Sequence, residues 1–172
     1  MVGLILDQEE ELDQATPRWR DTLAFARGAE AIGIDSLWLV DHFVWSADPR
    51  GRRAEAVDAT DTGGLRRSEA WTTLAALAGA TSRIRLGTLV TCTRYRKTAL
   101  LAKMADTVDE ISGGRLVLGL GAGDDPAEHR RFGIPNDRPV SRFEEALSII
   151  VPLLRTGGVD LEGEIYSARD RV

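Results

Sequence analysis

Residues 101–123 read LAKMADTVDEISGGRLVLGLGAG, and this stretch decides the fold class. Leu101, Met104, Ala105, Val108 and Ile111 recur at the spacing of a helix with one buried face. Ser112-Gly113-Gly114 follows, and glycine there tolerates the left-handed conformation that closes a helix. Arg115 to Leu120 is then a nearly continuous apolar run. Such a run suits a strand buried on both faces, as in a parallel sheet covered by helices. It ends in Gly119-Leu120-Gly121-Ala122-Gly123, where glycine lets a ligand approach the backbone closely.

Working outward, three more apolar runs read as strands: Gly3 to Leu6, Ser36 to Val40 and Ile84 to Val90. Helical patterns separate them. Trp19, Leu23 and Ala26 mark the first, and Trp71, Leu74, Ala75 and Ala78 the second, with Ser68 as its expected cap. A fourth helix is expected to open on the capping box Ser141-Arg142-Phe143-Glu144 and to bury Leu147, Ile150, Val151 and Leu154. Pro152 should kink it or remove one backbone hydrogen bond, and Gly157-Gly158 should stop it. Val159 to Tyr166 reads as a small hairpin or an irregular loop. The order is β-α four times in one domain. The long connections 43–67 and 121–139 each follow a strand and precede a helix. They therefore lie at the C-terminal end of the sheet, the end that carries the active site in parallel α/β folds.

Composition bounds the function. The chain has 172 residues and a net charge of -5, which argues against non-specific nucleic-acid binding. One cysteine, Cys92, excludes an internal disulfide and a thiolate-only metal site, and it fits a reducing compartment. No apolar run reaches the length of a membrane span, and the N-terminus is the reverse of a signal peptide, so the expected location is the cytoplasm. The two histidines lie 87 positions apart, so no metal site is expected.

The residues able to carry chemistry cluster at strand ends. His42 closes the second strand beside Asp41 and could exchange a proton near neutral pH, or simply pack. Asp41 could orient its ring or bond a loop amide. Gly87 suggests a bulge or the close approach of a ligand. Thr88 and Thr91 could donate to a cofactor's carbonyls, or fill an ordinary strand. Trp38 and Trp71 read as core. Trp45 could stack on a planar ligand. Arg50, Arg52, Arg53, Arg66 and Arg67 read as solvated, with an anionic ligand as the second reading. Gly119 to Gly123 is not a dinucleotide fingerprint, because Asp124-Asp125-Pro126 follows where a helix should start directly.

Together these segments resemble the luciferase-like monooxygenase family. The resemblance runs from Gly33-Ile34-Asp35-Ser36-Leu37-Trp38 and Asp41-His42-Phe43, through Glu69-Ala70-Trp71 and Arg83-Ile84-Arg85-Leu86-Gly87-Thr88, to residues 102–123. Phe132-Gly133, Arg142-Phe143-Glu144-Glu145 and Gly163-Glu164-Ile165-Tyr166 continue it. It implies an α/β fold, the TIM-barrel-like (β/α)8 type, of which this chain holds the first four β/α units as a half barrel. The Asp-His pair resembles the branch that uses the deazaflavin coenzyme F-420. The resemblance implies proton transfer or charge stabilisation by His42 and an acid role for Asp124. It also implies a bulge at Leu89 to Thr91 behind the redox ring. The implied cofactor-binding set is Asp41, His42, Trp45, Thr88, Val90, Thr91, Gly121 and Gly123. The sequence departs from the family pattern at Thr98, where proline is usual, and at Asp124, where many members carry tryptophan.

The expected function is hydride transfer between reduced F-420 and a small organic substrate. The first alternative is an FMN-dependent monooxygenase using oxygen. The second is a truncated, non-catalytic half barrel that assembles with a partner. A whole barrel needs about 250 residues. A homodimer or a missing C-terminal half is therefore expected, and the anchor for a coenzyme phosphate is not accounted for.

Overall fold

A computed structural model describes residues 2–6, 18–45, 65–66 and 68–171. The side chains of Trp45 and Arg66 and the residues Arg50, Arg52, Arg53 and Arg67 lie outside what is described. Four strands form one parallel sheet in the order β1 (Gly3–Ile5), β2 (Ser36–Leu39), β5 (Arg85–Thr88) and β7 (Leu116–Val117). Between β2 and β5 the short β3 (Val44–Trp45) and β4 (Leu65–Arg66) pair antiparallel. The helices α1 (Trp19–Ala31), α2 (Ala70–Ala80) and α3 (Thr98–Ser112) connect successive strands of the sheet. Spatial order equals chain order, so there is no reversal point of the kind that defines a dinucleotide-binding sheet.

The third strand is interrupted at Leu89–Val90, within the expected bulge, and the fourth is interrupted where a single run was expected. After Thr88 the chain leaves the ladder through Leu89 and Val90, joined by a cis peptide bond, and returns as β6 (Thr91–Cys92). The fourth strand resumes as β8 (Leu120–Gly121), parallel to β6. Gly119 makes the break possible. A Cβ there would lie 2.2 Å from the Thr88 carbonyl oxygen, so only glycine lets the two backbones meet. Gly87 serves packing rather than a ligand: a Cβ would strike the Trp38 ring at 2.6 Å.

The core is Leu37, Leu39 and Leu86 from the strands with Trp71, Leu74, Leu77, Leu101 and Ala105 from the helices. Trp19, expected to face inward, is 45% exposed. The caps differ from the sequence reading. Glu69, not Ser68, caps α2, because its longer side chain reaches two amides, those of Trp71 and Thr72, at 3.1 and 2.7 Å. Gly113 closes α3 in the left-handed conformation as expected. Arg115 then gives its guanidinium to the carbonyls of Ser112, Ile84, Ala78 and Thr81 at 2.6–2.9 Å, tying α2 and α3 to the sheet.

Residues 126–131 form a helix that was expected to be loop, α4 (Pro126–Arg131). Asp125 caps it by accepting the Ala127 and Glu128 amides at 2.9 and 3.1 Å. α5 (Pro139–Thr156) starts two residues before the expected Ser141, since Pro139 fits the first helical position. Its buried stripe is Ala146, Ile149, Ile150 and Leu153, so Leu147, Val151 and Leu154 are not the core-facing residues expected. α5 runs through Pro152 and ends at Gly157. The tail is an antiparallel hairpin of β9 (Gly158–Glu162) and β10 (Ser167–Arg171). Glu145 fixes its turn to α5 by accepting the amides of Glu164, Ile165 and Tyr166. Among the described residues no helix is long and apolar enough to cross a membrane.

Candidate active site

At the C-terminal ends of the strands lies a cleft of about 430 Å³, lined by Asp41, His42, Leu89, Val90, Cys92, Tyr95 and residues 121–124. That size falls within the range of small-molecule sites. Two segments 79 positions apart in sequence, His42 and Gly121–Gly123, thus share one rim, as expected of parallel strands. The floor is apolar. Leu89 and Val90 leave 48% and 43% of their surface uncovered, although the strand leading to them is buried.

His42 stands where β2 ends. Its Nε2 is 3.9 Å from Asp124 Oδ1 on the opposite rim. Its Nδ1 is 2.8 Å from Oε2 of Glu128, whose side chain is fully buried. The same Glu128 accepts the Phe43 amide and the Tyr95 hydroxyl. Burial and the neighbouring Glu128 push the Tyr95 phenol well above its usual range, so it stays a donor.

Asp41 borders the cleft, but its carboxylate is engaged inside the fold. Arg96 grips both its carboxylate oxygens, at 2.7 and 2.8 Å, and the Cys92 amide donates to it at 3.1 Å. Arg96 also pairs with Glu69. Burial pushes the Asp41 carboxyl up, against the pull of Arg96. Glu69 is held low: its burial is outweighed by hydrogen bonds from Thr72, Arg96 and Trp71. The triad joins the ends of β2 and β6 to the start of α2.

Thr88 and Thr91 are fully buried. The Thr88 hydroxyl donates to the Gly119 carbonyl at 2.9 Å, and the Thr91 hydroxyl oxygen accepts from Trp71 Nε1 at 3.1 Å. Both hydroxyls are therefore engaged inside the fold. Cys92 is buried, and desolvation raises its thiol, which favours a packed, inert sulfur. Gly123 has a φ of +77°, and a Cβ there would lie 2.5 Å from Cys92 Sγ. Arg94 fixes this rim by donating to the carbonyls of Ala122, Gly123 and Pro135. His129 is buried behind it, its Nδ1 2.6 Å from Asn136 Oδ1, and desolvation lowers its pKa. Among the described residues no cluster suits a metal ion.

The sequence reading missed Glu128, Tyr95, Arg96 and Glu69. Only Glu128 had a local signal. Asp125-Pro126-Ala127-Glu128 has the cap, proline and acid spacing of a helix start, and it places Glu128 on a turn facing His42.

Known proteins sharpen this picture. Over 142 residues the chain is 33% identical to 5,10-methylenetetrahydromethanopterin reductase of Archaeoglobus fulgidus, covering 83% of this chain and 36% of that protein. Over 138 residues it is 35% identical to the phthiodiolone/phenolphthiodiolone dimycocerosates ketoreductase of Mycobacterium tuberculosis, covering 76% of this chain and 35% of that one. An F-420-dependent secondary alcohol dehydrogenase, solved with an F-420-acetone adduct, shares the fold with a TM-score of 0.75 at 24% identity. That match covers 98% of this chain and 46% of the dehydrogenase. The oxygenating constituent of 3,6-diketocamphane monooxygenase of Pseudomonas putida, solved with FMN, gives 0.74 at 23%, covering 97% and 42%. The chain thus spans about a third of the length of these curated relatives. Its parallel α/β sheet matches part of the TIM-like barrel fold of these solved structures, a little under half of each chain. The luciferase-like monooxygenase family model matches residues 1–172, and the chain belongs to that family.

Proposed function

We propose that the protein is an oxidoreductase using coenzyme F-420, moving hydride between the reduced deazaflavin and a small organic substrate. The observation that carries this reading is the cleft itself. An uncovered apolar floor, Leu89 and Val90, lies beneath a polar edge formed by His42 Nε2 and Asp124, 3.9 Å apart. A planar ring with one polar edge fits such a surface. Residues 121–124 form the facing rim, and the glycines at 121 and 123 let it pack tightly on Val90 and Cys92. The relatives named as reductases and the F-420-bound neighbour support the choice of coenzyme.

When bound, the coenzyme supplies or accepts the hydride. The chain's own residues do the rest. The apolar floor and the Gly121–Gly123 rim orient the ring and exclude water from one face. His42 holds or receives a proton at Nε2, matching the change in charge on the substrate oxygen. Asp124, across the rim, is placed to share that proton. Asp41 acts through Arg96 and the Cys92 amide to keep the strand ends in register.

Titrating the protein with F-420 and with FMN, followed by absorbance and fluorescence, tests the proposal. Saturable binding of F-420 with weaker binding of FMN is expected. Preference for FMN together with oxygen consumption would favour the monooxygenase reading. A folded protein that binds neither would overturn both.

A further inference from the structure

We propose that Glu128 is a positioning residue that holds the His42 ring in its Nδ1–H tautomer, leaving Nε2 to face the cleft. The inference rests on the use of His42 in the reading above, but it concerns a property the protein has without any coenzyme.

Three donors converge on one carboxylate. Oε1 accepts the Phe43 amide, whose hydrogen is fixed by the backbone. Oε2 accepts the Tyr95 hydroxyl and lies 2.8 Å from His42 Nδ1. A carboxylate offers acceptors only, so the ring nitrogen must bring the hydrogen to that bond. Nδ1 then carries the proton, and Nε2 is the atom left to gain or lose one. Phe43 follows His42 in the chain, so one carboxylate fixes both the ring and the backbone that bears it.

The surroundings strengthen the arrangement. Phe43 stacks on Tyr95 with ring centroids 4.6 Å apart and meets Phe132 edge-on at 4.8 Å. Tyr95 meets His129 edge-on at 5.5 Å. This aromatic shell leaves the Glu128 side chain fully buried, whereas the His42 side chain keeps 23% of its surface exposed. A hydrogen bond to a carboxylate gains strength where water is excluded. The Asp125 cap sets α4, and α4 delivers Glu128 to this point. A base oriented by a buried acid is a common way to keep one nitrogen of an imidazole for chemistry.

The test is nitrogen-15 NMR of the histidine rings in the full, unliganded protein, with H42Q assigning the resonance. At a pH where the ring is neutral, the wild type should show hydrogen on Nδ1 of His42. E128L, which offers no acceptor, should lose that preference. Y95F removes a different donor from the same oxygen and should keep it. Hydrogen on Nε2 in the wild type, or an unchanged tautomer in folded E128L, would overturn the proposal. If E128L does not fold, the wild-type spectrum decides alone. Coenzyme is absent throughout, so failure of F-420 binding and failure of this assignment are read in separate experiments.

Discussion

Replacing Arg96 with leucine is expected to lower the free energy of unfolding by about 3–5 kcal/mol, the cost of leaving one member of a buried ion pair alone. The Asp41 side chain is fully buried and that of Arg96 only 10% exposed. The guanidinium satisfies both carboxylate oxygens, and without it the Cys92 amide still donates to one of them. The loss should depend on pH in a defined direction. Burial already pushes the Asp41 carboxyl up, and Arg96 holds it back. With Arg96 gone, folded Asp41 binds a proton more readily than unfolded Asp41 does. A folded state that binds more protons gains stability as pH falls. The deficit of R96L should therefore be largest near neutral pH and narrow toward the ordinary carboxylate range near about 4. R96K should recover only part of it, since an ammonium cannot match the two-pronged geometry. Urea unfolding at two pH values reads both effects. A deficit that widens on acidification would show that Asp41 is not the group left unpaired.

The second large effect concerns catalysis. H42A should lower kcat about 10²–10⁴-fold, the usual contribution of a positioned acid or base, a larger effect than its loss of F-420 affinity. The argument is geometric. Nε2 is the His42 atom that faces Asp124 across the rim, and Nδ1 is committed to Glu128. Removing the ring takes away a proton carrier but leaves the apolar floor of Leu89 and Val90 that would hold the coenzyme. Steady-state kinetics with an acceptor the wild type turns over, paired with a binding titration, separates the two. Loss of affinity with unchanged kcat would instead make His42 a binding residue.

The sequence revealed what depends on local periodicity. The stripe from Leu101 to Val108 and the stop at Gly113 follow from side-chain size and backbone freedom, and both appear in the fold, whereas Ile111 is exposed and the strand after Arg115 is only half-buried. The rim position of His42 and Gly121 was legible for the same reason, because parallel strands deliver their ends to one side. The Leu89–Val90 interruption was implied only by the family resemblance, as a bulge, because it depends on Gly119 approaching Thr88, a contact 31 residues away in sequence. Two kinds of feature were not legible. The engagement of the Thr88 and Thr91 hydroxyls depends on partners from other elements. The Asp41–Arg96 pair spans 55 positions, and nothing in Thr93-Arg94-Tyr95-Arg96 marks which arginine turns inward. Glu128 is different. Its helix-start signal was present, but Asp124-Asp125-Pro126 also reads as a turn, and the turn reading hid it.

Chemical-shift mapping with added F-420 tests the central claim most directly. The account predicts saturable shifts concentrated on the backbone amides of His42, Val90, Gly121, Ala122 and Gly123. Saturable binding whose shifts fall instead on the outer face of α2 and α3, around Ala75, Met104 and Ile111, would contradict it.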